Sequence, residues 1–156
     1  MRIGIWGAFI ALLIFPQAGC RRGRDNARKA GEQAEQQRKI EDLLAGKDAD
    51  GERAMEAREY LADQQKNVLW KTSREQTTKW VDELYRAGAV KVYAVYVPPG
   101  DVVRVNVCAA LLIELPVAGR KKTIDAFNHI ERQLWGPDAS PAADSGQKYL
   151  HLNMDP

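Results

Sequence analysis

Two cysteines, Cys20 and Cys108, and two histidines, His129 and His151, are the residues of this 156-residue chain best equipped for covalent or acid–base chemistry. Their arrangement assembles little. No pair of histidines stands at metal-ligand spacing, and one cysteine beside them cannot complete a zinc site, so neither metal nor cofactor is expected. Ser73, Ser140 and Ser145 fall in expected caps and loops, without the glycine-framed turn that presents a nucleophilic serine. Cys108 falls inside an expected strand, where the residue acts as a small buried hydrophobe. If Cys20 is modified, Cys108 has no partner and no disulfide framework forms. His129 adjoins Ile130 on an expected helix, as a packed or surface residue. The reading is therefore of a chain that is not an enzyme.

Two groups of residues still suggest binding. In "AGRKKT", Arg120, Lys121 and Lys122 crowd the start of an expected helix. Cations there oppose the helix dipole, and a bound anion would relieve the conflict. The glycines of a phosphate-binding loop are missing, so this is at most an anion-binding cluster. The second group is Tyr93, Arg104, Tyr149 and His151, which fall on the outward positions of expected strands. Together they form a candidate binding face on an open sheet, unless the spacer helices cover it and turn it into ordinary core, and a ligand sensor or enzyme built around His151 is the alternative to a non-catalytic module. An aromatic and basic platform of this kind resembles RNA-recognition modules, but their Gly-Phe-rich segment is absent, and no nucleic-acid partner is expected.

The elements that must position these residues begin with a targeting segment. Residues 3–15 are apolar and uncharged. As a helix they would extend about 20 Å, short of the roughly 30 Å hydrocarbon core, a length that suits the h-region of a signal peptide. Pro16 breaks the run, and Ala18-Gly19-Cys20 follows. This resembles the lipobox of bacterial lipoproteins, with Gln17 standing where a leucine-like residue is usual. The resemblance implies cleavage before Cys20, lipidation of Cys20, and a domain held at the bacterial cell envelope on the non-cytoplasmic side. Arg21, Arg22 and Arg24 pull the other way, since basic flanks favour the cytoplasm. An uncleaved anchor with a cytoplasmic domain is the competing expectation. Residues 1–19 are thus a signal peptide or short membrane anchor.

Residues 20–66 read as a basic juxtamembrane segment and a charged helical spacer. From Arg24 to Lys66 there are 9 basic and 11 acidic residues, rich in strong helix formers. "GKDADG" divides the stretch into expected helices at about 27–45 and 52–65. Met55, Tyr60 and Leu61 are its best candidates for contact with a protein partner.

Residues 67–156 read as an α+β globular domain. "NVLWK" is an expected strand. A helix follows with Thr77, Trp80, Val81 and Leu84 on one face, a capping box from Ser73 with Gln76 or Thr72 with Glu75, and a Gly88 stop. "VKVYAVYV" alternates as a strand. From Val103 to Leu115 every odd position is apolar, which buries one face of a long central strand. A second helix carries Ile124, Phe127, Ile130 and Leu134, and "KYLHLNM" closes as a strand with Leu150, Leu152 and Met154 inward. The order strand–helix–strand–strand–helix–strand is the ferredoxin-like split βαβ pattern (βαββαβ), a two-layer sandwich with one open sheet face. The net charge of +2 gives no general attraction to polyanions. What remains is a membrane-anchored chain, held by a lipid or anchor, carrying a non-catalytic binding or scaffold domain with a possible protein partner.

Overall fold

Alternating apolar residues on β3 (Lys91–Val97) and β4 (Val107–Glu114) pair antiparallel and form the centre of the sheet. The structure is a computed structural model that describes Gly31 and residues 35–47, 52–64, 66–68, 72–97 and 107–154. β5 (Tyr149–Asn153) pairs antiparallel with β4 from Ala110 to Glu114, and β1 (Arg53–Glu56) pairs antiparallel with β3. β2, reduced to Asn67–Val68, lies parallel to β4 at Val107–Cys108. The fold is α+β, with four antiparallel strands and one parallel stub. Residues 33–156 form one compact unit.

One sheet face carries the main core. Val92, Ala94, Leu111, Ile113, Leu150, Leu152 and Met154 are buried against α2 (Ala57–Ala62), α3 (Arg74–Arg86) and α4 (Arg120–Trp135). The inward residues of α3 are the expected Thr77, Trp80, Val81 and Leu84. Ser73 caps that helix by accepting the Gln76 N–H at 3.1 Å. At its other end Gly88 has φ +102°, and the bonds Gly88 N–H to Tyr85 (3.0 Å) and Ala89 N–H to Leu84 (3.0 Å) close a Schellman motif, a geometry that needs glycine at this position.

The structure departs from expectation in four places. First, the stretch expected to be a solvated spacer supplies α1 (residues 35–44), β1 and α2. Arg53–Glu56 forms a strand rather than a helix because β3 offers it an unpaired edge, and tertiary pairing overrides helix propensity. Second, Met55, Tyr60 and Leu61 pack into the domain's own core, with Tyr60 fully buried. Third, β5 pairs directly with β4 along Ala110–Glu114, past the two residues where β2 pairs with it. Fourth, the strict odd-position pattern of β4 holds only as far as a bulge. Val95 pairs with Ala110 but Tyr96 with Cys108, so Ala109 is the extra residue. The parity flips there, so Cys108, buried as expected, joins the main core beside Leu111 and Ile113 although it stands at an even position.

Candidate functional site

The face expected to be open is covered. Leu43 of α1 is buried against Val95, Ala110, Leu112 and Tyr149, with Ile40 and Leu44 packed alongside. α1 places these side chains on one stripe because they recur at i, i+3 and i+4. Ion pairs and hydrogen bonds such as Lys39–Glu35 at 3.2 Å and Gln37–Glu41 at 2.9 Å line its outer side. The domain is consequently three layers deep over this part of the sheet, not two.

This covering redefines the candidate face. Tyr93 is half-buried and Tyr149 buried in the second, smaller core. Desolvation by burial raises the Tyr93 phenol above its ordinary value. Cross-strand pairing aligns Tyr93, Leu112 and His151 in one row. His151 keeps an exposed edge, yet the protein around its ring disfavours the charged form, and its pKa falls below the ordinary histidine value. It borders a groove of about 220 Å³ with Lys39, Ile40, Leu43, Glu52 and Leu112. Arg104, the fourth member, lies outside the described residues, as does Cys20.

Nearby, Glu131 of α4 buries one carboxylate oxygen, Oε2, with no hydrogen-bond partner among the described residues, and desolvation raises its pKa. It and His151 border a second groove of about 330 Å³ against the loop that carries Ser140 and Ser145. Glu131 was not singled out by sequence: a glutamate on the polar side of a helix carries no signal that the following loop will fold over it.

The three basic residues take different surroundings. Arg120 is only 18% exposed and grips Asp144, with Nε at 2.9 and 3.0 Å from its two carboxylate oxygens, and donates to Gln147 O at 2.6 Å. That hydrogen bond is the main reason the Asp144 carboxyl is held below its usual pKa. Lys121 turns back to Asp125 at 2.6 Å, and Lys122 is exposed. Arg120 therefore ties the loop of residues 136–148 to the start of α4, and the dipole conflict is answered by Asp144 and Asp125. Asp144 was invisible as a partner because 24 residues separate it from Arg120.

Cys108 is fully buried, donates a hydrogen bond to Ala110 O at 3.3 Å, and burial pushes its thiol up to about 12. At neutral pH it is a thiol and not a nucleophilic thiolate. His129 is exposed, with Nε2 at 2.7 Å from Gln133 Nε2. Among the described residues no group of three His, Cys, Asp or Glu is placed to hold a metal ion, and no helix is long and apolar enough to cross a membrane. Compared with protein-family models, with curated proteins and with solved structures, the chain matches none.

Proposed function

We propose that the chain is a membrane-anchored lipoprotein of the bacterial cell envelope, whose small domain is a non-catalytic binding or scaffold module on the non-cytoplasmic side. The observation that carries the anchor is the order of residues 3–20: an apolar run too short to span, a proline, then Ala18-Gly19-Cys20. Acyl chains on Cys20 would suffice as an anchor, since each buried methylene contributes roughly 0.8 kcal/mol and two or more chains hold firmly. The non-catalytic reading is supported by the seating of Leu43 on the sheet, which makes Tyr149 a packing residue rather than a site residue.

The domain itself reads as a variant of the ferredoxin-like split βαβ arrangement. β2, α3, β3, β4, α4 and β5 follow one another in the required order, and β2 runs parallel to β4. The position of β5 on β4 is the departure.

Intact mass of the protein extracted from membranes tests the anchor. The expected mass lacks residues 1–19 and gains acyl groups on Cys20, and Cys20→Ala accumulates as an unprocessed precursor. A full-length, unmodified mass in the membrane fraction would leave the uncleaved anchor as the answer.

A further inference from the structure

One end of the domain gathers cations around two exposed valines. The Thr123 hydroxyl donates to Ala87 O at 3.0 Å, tying the end of α3 to the first turn of α4, and Val90 N–H donates to Glu114 O at 2.9 Å. These bonds bring Arg86, Lys91, Lys121, Lys122 and Lys148 to the same end. Val117 projects from the β4–α4 connection at 99% exposure, and Val90 is 54% exposed. Glu114 pairs with Lys148 and Asp125 with Lys121. Among the described residues no ion pair engages Arg86, Lys91 or Lys122, so the end carries an excess of positive charge around an apolar tip.

The first described turns of α1 lie beside this end. Gln36 and Gln37, in the first described turns of α1, share a groove of about 330 Å³ with Ser145–Tyr149. Lys148 and Tyr149 adjoin Glu114, through the Lys148 ion pair and the Glu114–Tyr149 strand register.

We propose that this end is a docking tip for anionic phospholipid, with Val117 and Val90 entering the headgroup layer and Arg86, Lys91 and Lys122 meeting its negative charge. The inference rests on the anchor reading, which delivers the tip to a membrane. The chemistry is that of an amphipathic surface contact: apolar burial supplies part of the attraction, and each lysine or arginine near an anionic surface adds about fivefold in affinity, weakened by salt.

The test uses the full chain in nanodiscs of phosphatidylcholine with and without phosphatidylglycerol, read by amide hydrogen exchange. The expected result is slowed exchange across residues 115–122 only with phosphatidylglycerol, reversed by high salt. The docked-to-undocked ratio should fall about fivefold in Lys122→Ala, and docking should be lost in Val117→Asp combined with Lys122→Glu. A chain retained by both discs with no lipid-dependent protection overturns the tip and leaves the anchor standing. Equal protection in both lipids overturns it as an anionic-lipid site. If the chain washes off the discs the anchor reading fails. The tip is then upheld by salt-sensitive sedimentation with phosphatidylglycerol vesicles that the double variant abolishes, and overturned by its absence.

Discussion

The two faces of the sheet are built from the same strands but to different depths. On one, Leu111, Ile113, Leu150 and Leu152 meet three helices, and Ile113, Ile130 and Leu84 are fully buried. On the other, Ala110, Leu112, Val95 and Tyr149 meet a single described helix, α1, which buries only Leu43 and leaves Ile40 and Leu44 half-exposed. An isolated ten-residue helix is marginal in water. Burying one leucine contributes about 1.5–3 kcal/mol, and exposed i,i+4 pairs such as Lys39–Glu35 add a few tenths each. α1 thus depends on the sheet for its order far more than the sheet depends on α1. The first face fixes the fold, and the second is a cover of low local stability.

The largest expected effect separates the faces. Ile113→Ala should cost about 3–5 kcal/mol, because three packed helices cannot collapse into the void. Leu112→Ala, equally inaccessible to solvent but lying under α1, should cost about 2–3 kcal/mol, since α1 can settle inward. Urea unfolding of both variants measures the difference, and equal costs would mean that α1 is as firmly integrated as α3 and α4. A smaller effect sharpens the same contrast. Leu43→Ala should lower stability by about 1–2 kcal/mol, while native-state hydrogen exchange accelerates selectively over residues 35–44. Uniform acceleration through β4 as well would place α1 within the cooperative core.

The legibility of these faces in the sequence follows from where their pattern resides. The helix-facing side was readable because its signals are local and repeated: Trp80, Val81 and Leu84 at helical spacing, Ile124, Phe127 and Ile130 likewise, and Leu150, Leu152 and Met154 at period two. The covered side was legible only as an option, the spacer helices lying over the sheet, because α1 sits in a segment whose composition is that of a solvated helix, and only Ile40, Leu43 and Leu44 betray an apolar stripe. Charged residues so outnumber them that burial depends on a sheet surface far along the chain. The same limit governed Tyr93, Tyr149 and His151. Alternation correctly placed them on the face opposite Leu150 and Leu152, but no local signal states what lies above that face. Cys108 is buried as its residue type suggested, but on the side of Leu111 and Ile113, because the bulged residue at Ala109 inverts the alternation at that point.

The smallest expected effect is a pH dependence confined to the covered face. His151 borders the groove beside α1, where desolvation lowers its pKa, and Lys39, Glu52 and Glu131 border the two grooves around its ring. A histidine with a depressed folded pKa binds its proton more weakly in the folded state than in the unfolded chain. The stability it contributes is therefore complete above the unfolded value near 6.5, and it drains away as pH falls through that value toward the folded pKa. Because the imidazole keeps an exposed edge, the loss is modest and local. Lowering the pH from neutral to mildly acidic should accelerate hydrogen exchange over residues 35–44 before it affects α3 or α4. Lys39 adds to the effect, since a protonated imidazole gains a neighbouring cation, whereas Glu52 and Glu131 oppose it. His151→Gln should flatten the response, and Lys39→Gln should shrink it. An acid-induced loosening of α1 that persists unchanged in His151→Gln would exclude His151 as its source, and it could not come from Glu131 either, whose raised pKa gives the opposite sign: stability present at low pH and lost as pH rises through its folded value. The direction of the change, read on α1 alone, therefore identifies which of the two groups the cover responds to.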